Sequence, residues 1–192
     1  MVLRTYQERV LTCLYNWWMA HPEPTDAPLL VMPTGSGKSI VIAELTRLLD
    51  LADQIGAGGI VCVPVRRPVE FPELSEGELF EFATSEFRRW SAELPAGNAK
   101  IFFEPLNRFE CYFLNTVGQA VELCKLVDEP NYGYLFDTFH TNIEENNVPA
   151  LIAPSIKWIK HVHITENNRG VPGAGHIQFQ PVFNELRKAG YD

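Results

Sequence analysis

This sequence has no C-x-x-C pair, no signal-like opening run and no apolar stretch near the ~20 residues that span a bilayer. Those absences argue against a disulfide framework and a membrane-spanning helix. They point to a cytoplasmic protein whose widely spaced cysteines, Cys13, Cys62, Cys111 and Cys124, are reduced and serve as small core residues. Basic charge is short as well: 16 Lys and Arg stand against 24 Asp and Glu, a net charge of -8. The acids are spread along the chain and no basic face is visible, so a phosphate backbone would be repelled and nucleic acid is not an expected partner. Length is the last shortage. An eight-fold β/α barrel needs about 250 residues, so 192 residues cannot hold a complete one together with anything else. The 46% apolar content is nevertheless enough for a real core.

Periodicity divides the chain. Val10, Leu11, Leu14, Trp17 and Trp18 recur at helical spacing over 3–20, and the prolines at 22 and 24 end that helix. The run APLLVMPTGSGKSIVIAELTRLLDLA reads as a buried strand, a glycine-bearing loop and a helix opening near Lys38. A second apolar run at 58–65 reads as a strand, and 66–78 as a proline-broken acidic connector. Residues 78–94 predict a helix with Phe80, Phe87, Trp90 and Leu94 inward. From 100 onward one pattern repeats: a short apolar run ending in a polar residue, then a helix. The runs are KIFFE (100–104), YGYLFD (132–137) and IKHVHI (159–164), with helices over 116–127 and 179–189. Strands alternating with helices predict an α/β fold of parallel βα units.

Glu104, Asp137 and His163 each fall at or beside the C-terminal end of a predicted strand. In a parallel barrel those ends converge on one face, where catalytic groups gather. Two carboxylates and an imidazole there suit a hard or borderline divalent ion such as Mn²⁺, Mg²⁺ or Co²⁺. Spacing alone leaves another reading open, because a carboxylate after a strand often caps a helix and a lone histidine is often a core residue.

The surrounding words add to this. EPLNRFE (104–110), DTFHTNIEE (137–145) and HVHITENNRGVPGAGH (161–176) closely resemble three successive motifs of the D-tagatose and D-psicose 3-epimerase family of xylose-isomerase-like barrels, in that family's order and spacing. The resemblance covers roughly residues 101–192 and implies a partial (β/α) barrel acting on a ketose. It makes Glu104 a metal ligand and catalytic acid/base, Asp137 and His163 further ligands, and Glu110, His140 and Arg169 contacts to sugar hydroxyls and carbonyl. For His161, Glu166 and His176 it implies supporting roles. The family's fourth ligand and second catalytic carboxylate is a glutamate on the final strand, which would lie beyond Asp192. Impaired epimerisation is therefore expected of these residues alone, and unpaired barrel edges favour association with a second copy.

MPTGSGKS (32–39) lies between a predicted strand and a predicted helix, the context a phosphate-binding loop requires. Backbone N–H groups around Thr34, Gly35, Ser36 and Gly37 would cradle phosphates, Lys38 would reach the β/γ oxygens and Ser39 would hold Mg²⁺ of an ATP complex. With LRTYQ (3–7) ahead of it, the segment resembles the N-terminal part of superfamily 2 (DEAD/DEAH-type) helicases, which implies Gln7 as an adenine contact. No acidic motif completes that Mg²⁺ site. The sequence thus divides into a helicase-like P-loop segment (1–57), a connector of unknown origin (58–99) and a partial barrel (100–192). Three functions compete: a metal-dependent ketose epimerase or isomerase, a nucleotide-binding module, and a folded chimera with neither activity.

Overall fold

A computed structural model describes residues 38–63, 74–93 and 100–191. The expected helix over 3–20, the strand before the glycine loop, and Gln7, Thr34, Gly35, Ser36 and Gly37 lie outside the described residues. Lys38 and Ser39 open a helix, as expected, but their side chains also lie outside the description.

In chain order the elements are α1 (Lys38–Ile55), β1 (Gly59–Cys62), α2 (Glu76–Glu93), β2 (Lys100–Phe103), α3 (Val117–Val127), β3 (Tyr132–Asp137), α4 (Thr138–Glu144), α5 (Ile152–Ser155), β4 (Ile159–His163) and α6 (Phe179–Lys188). Single 3₁₀ turns flank α5. The strands form one parallel sheet in the order β1-β2-β3-β4. Chain neighbours remain sheet neighbours with no reversal, which is the order of a barrel wall; a doubly wound sheet reverses at a switch point. Among the described residues, no helix is long and apolar enough to cross a membrane.

The stretch 58–99, the connector of unknown origin, contributes the strand and the helix expected within it to this same architecture. β1 pairs with β2 from Gly59↔Lys100 to Cys62↔Phe103, and α2 packs beside α3. That pairing joins residues about forty positions apart, so no local pattern could reveal it. Local signals do set the helix starts. Ser75 and Glu78 cap α2 reciprocally: the Ser75 N–H donates to Glu78 Oε2 at 2.8 Å, and the Glu78 N–H to Ser75 Oγ at 3.4 Å. Thr116 and Gln119 form the same capping box on α3, and Glu145 adds an acceptor for the Val117 N–H at 2.8 Å. α3 ends on Asp128 in the left-handed region, φ 53°.

Strand alternation separates two faces. Ile101, Phe103, Tyr132, Tyr134 and Phe136 join the core against the helices, where Phe87 meets Phe103 and Tyr132 with ring centroids 4.6 and 5.8 Å away. Phe102 and Leu135 are buried but lie outside that cluster. Phe102 instead stacks on His161, with centroids 5.8 Å apart and planes at 9°. Glu104, Asp137 and His163 are two-residue steps along their strands from Phe102, Leu135 and His161, so they share this second face.

Candidate metal centre

Each member of the acidic cluster is placed by the end of its strand. The Glu104 N–H donates to the Cys62 carbonyl at 3.0 Å, which continues the β1–β2 ladder by one residue and fixes the direction of the side chain. Asp137 is the last residue of β3 and also the N-cap of α4, its Oδ1 accepting from the Phe139 N–H at 2.7 Å. Oδ2 is thereby left to face His163, the last residue of β4. His163 Nδ1 stands 3.5 Å from Asp137 Oδ2 and 3.9 Å from Glu104 Oε1. One donor atom from each of Glu104, Asp137 and His163 lies within 4.8 Å of the others.

Burial makes this arrangement costly for charge. Glu104 and Asp137 are only 6% and 8% exposed. Burial, followed by the Asp137 charge, pushes the Glu104 carboxyl up to about 7. Contact with Asp137 raises His163 above the ordinary imidazole value against the effect of its own burial. Two carboxylates forced together in a low-dielectric pocket, with an imidazole nitrogen aimed between them, fit a divalent cation. The oxygen-rich set suits Mn²⁺, Mg²⁺ or Co²⁺ better than a thiolate-seeking metal.

The three residues expected to contact sugar form a second group beside the first. Arg169 donates to Glu110 Oε1 at 2.5 Å, and its guanidinium sits 4.5 Å from the centroid of the Phe139 ring. Burial works to raise Glu110, but the donors from Arg169 and Asn107 hold its carboxyl below the usual range. His140 is 3% exposed, and burial lowers its pKa. Arg169 has φ 60°, a strained value for a side-chain-bearing residue, held where its charge meets Glu110 and Phe139.

Sequence reasoning assigned no role to Asn107 or Phe139, which tie this group together. Arg108 does so from outside: its N–H and guanidinium bind the Glu144 carboxylate at 2.6 to 3.1 Å, clamping the loop after β2 to α4. Glu166, expected to support, is fully buried and gathers the N–H groups of Asn167, Gly173 and Ile177. Those bonds outweigh the effect of burial and keep its carboxyl below the ordinary range, so it ties down the loop that carries Arg169. His161 lies on Phe102 and meets His163 edge-on at 5.0 Å. The His176 N–H bonds Asn167 Oδ1 at 3.0 Å.

The family described as xylose isomerase-like TIM barrel matches residues 8–192. That match runs through the stretch expected to be helicase-like, and nothing among the relatives shows a nucleotide-binding loop there. The D-psicose 3-epimerase of Ruminiclostridium cellulolyticum is 40% identical over 89 residues, which are 46% of this chain and 30% of that protein. The 3-dehydro-D-guloside 4-epimerase of Escherichia coli is 27% identical over 158 residues, 78% of this chain and 60% of that one. Among solved structures, D-psicose 3-epimerase with D-tagatose from Clostridium cellulolyticum H10 superposes with a TM-score of 0.73 at 28% identity, covering 81% of this chain and 54% of that chain. The chain thus spans less than two thirds of the length of these relatives.

Proposed function

Because this chain belongs to the xylose isomerase-like TIM barrel family, we propose that its acidic centre binds a divalent metal and moves a proton on the carbon beside the carbonyl of a ketose. The observation that carries this reading is the convergence of Glu104, Asp137 and His163 at the ends of three adjacent parallel strands. The names of relatives that act on ketoses at C3 support the choice of substrate class.

A C–H bond beside a ketone is too weakly acidic for a carboxylate to open unaided. A divalent ion held by Glu104, Asp137 and His163 would supply the missing acidity by drawing electron density from the carbonyl oxygen. Glu104, held ionised by that ion, would take the proton and return it. Its oxygen accepts the proton while the C–H electron pair moves toward the carbonyl. Arg169 donates to sugar oxygens, Glu110 accepts from hydroxyls, and His140 donates through Nε2. Glu110 stays ionised beside Arg169, which suits it to hydrogen bonding and not to carrying the reacting proton.

Inversion at C3 requires a second proton carrier on the opposite face of the sugar. The described residues supply Glu104 for one face, so exchange of the C3 proton with solvent should outrun net epimerisation. The test incubates D-fructose or D-psicose with the Mn²⁺-loaded chain in D₂O and follows deuterium at C3. Incorporation that disappears in Glu104→Gln supports the reading; no incorporation with Mn²⁺ bound overturns it. Net conversion by these 192 residues would assign the second role to another carboxylate. Association through β1 and β4, the edges of the sheet among the described residues, belongs to the same proposal and is checked by sedimentation.

The nucleotide reading rests on MPTGSGKS and LRTYQ in the sequence. Its test is ATP·Mg²⁺ binding that Lys38→Ala abolishes; equal affinity in the two proteins removes it.

A further inference from the structure

We infer that Asn107 is a positioning residue that sets the hydrogen-bonding polarity of the sugar subsite by holding His140 as its Nε2–H tautomer and fixing Glu110 against Arg169. The part concerning sugar rests on the ketose reading; the part concerning the tautomer stands by itself. Asn107 is 1% exposed and bonds both His140 and Glu110. Its backbone N–H donates to His140 Nδ1 at 3.0 Å, and its Nδ2 lies 2.9 Å from the same nitrogen. Nδ2 also donates to Glu110 Oε1 at 3.1 Å, while Oδ1 accepts from the Phe109 N–H at 3.0 Å.

Chemistry removes the usual ambiguity of amide and imidazole assignment. A backbone N–H can only donate, so the side-chain atom facing Phe109 must be the oxygen. A carboxylate without its proton can only accept, so the atom facing Glu110 must be the nitrogen. By the same reasoning His140 Nδ1 receives a backbone N–H and must carry a lone pair. The neutral ring then bears its proton on Nε2, and that nitrogen becomes a fixed donor. One buried amide therefore presents a donor at His140 and an acceptor at Glu110, with the Arg169 donor held beside them. A sugar hydroxyl must give one proton and accept another, which this alternation suits. A subsite with His140 in the other tautomer would offer two acceptors side by side and reject the same hydroxyl pair.

The experiment labels histidine with ¹⁵N and reads ring nitrogen shifts and Nε2–H couplings near neutral pH in the full chain. Wild-type His140 should show a bare Nδ1 and a protonated Nε2. Asn107→Asp keeps the acceptor for Phe109 and the backbone N–H to His140 Nδ1, so the Nε2–H tautomer should persist, while a negative oxygen replaces the Nδ2 donor to Glu110 and pushes that carboxylate out of place. Ketose affinity should fall about 10- to 100-fold with it, the scale set by one lost hydrogen bond to a charged group. Asn107→Ala should loosen Glu110 and raise KM more than it lowers kcat. A His140 protonated on Nδ1 in the wild type or in Asn107→Asp overturns the inference whether or not any ketose binds. The expected tautomers in a protein that binds no ketose would instead overturn the proposed function and leave Asn107 with its role on His140.

Discussion

The two faces of one sheet are built from the same strands and have opposite chemistry. Facing the helices, Phe103, Tyr132, Tyr134 and Phe136 are almost wholly buried and packed among aromatic rings. On the other face, every second residue leads toward Glu104, Asp137 and His163, where two carboxylates crowd a low-dielectric pocket. Stability is gathered on the first face and charge held at its expense on the second. The separation is possible because strand side chains alternate, so a substitution on one face leaves the other nearly untouched.

The largest effect should come from the packed face. Phe103 is 0% exposed and lies against Phe87 and Tyr132. Phe103→Ala should cost about 3–5 kcal/mol in denaturant unfolding. Any variant that still folds should bind Mn²⁺ with unchanged affinity, although position 103 adjoins the ligand Glu104. A parallel loss of metal binding would break the separation of faces.

On the charged face, His163→Ala removes one of three donors and should weaken Mn²⁺ binding by more than about 100-fold, since loss of even a supporting partner costs about 10- to 100-fold. Unfolding free energy without metal should change far less than in Phe103→Ala. Isothermal titration and urea unfolding read the two quantities separately. Retained affinity would show that the three side chains do not share an ion.

Acidity tests the same face through Glu104. Its folded pKa of about 7 lies above its ordinary 4.5, so between those values the native state binds more protons than the unfolded one. Stability must then fall as pH rises through that window. The raised value of His163 works in the same direction. The difference of about 2.5 units sets a ceiling of about 3 kcal/mol for Glu104. Glu110, Glu144 and Glu166, held below their ordinary value, oppose it at low pH, so wild type must be compared with Glu104→Gln. Metal-free wild type should lose stability relative to that variant as pH rises from 4.5 to about 7. Saturating Mn²⁺ selects the ionised carboxylate, so the slope should flatten and binding should release protons.

What could be read from sequence followed range of interaction. The strands ending at Glu104, Asp137 and His163 show as apolar runs with polar ends, and their convergence follows from parallel order. The starts of α2 and α3 are written in Ser75-x-x-Glu78 and Thr116-x-x-Gln119. The place of β1 was not legible: a four-residue strand finds its partner at residues 100–103, and nothing local names that partner. Asn107 was in plain view within EPLNRFE, yet its importance comes from His140, thirty-three positions away. Phe139 carried no local mark of its role, which comes from Arg169 resting over its ring. Asp137 is both the cap of the short helix α4 and a candidate ligand, the two readings that spacing alone left open.

The smallest expected effect returns to the packed face and asks whether a polar atom there behaves as structure alone. Tyr134 is 0% exposed, and its Oη lies 2.8 Å from Ser155 Oγ. Ser155 in turn donates its single hydroxyl proton to the Leu151 carbonyl at 2.6 Å. Tyr134 must therefore be the donor in the pair, and Ser155 keeps its own bond when the tyrosine hydroxyl is gone. Tyr134→Phe leaves no donor unpaired and removes one oxygen, so its cost should be about 1 kcal/mol, a fall in Tm of roughly 2–4 °C. Position 134 lies on the strand that ends in Asp137, but its side chain points to the helices. Mn²⁺ affinity and C3 exchange should accordingly stay at the wild-type level in calorimetry and the deuterium assay. A tenfold change in either would mean that α5, through Ser155, helps to set the end of β3, and the two faces would then be coupled after all.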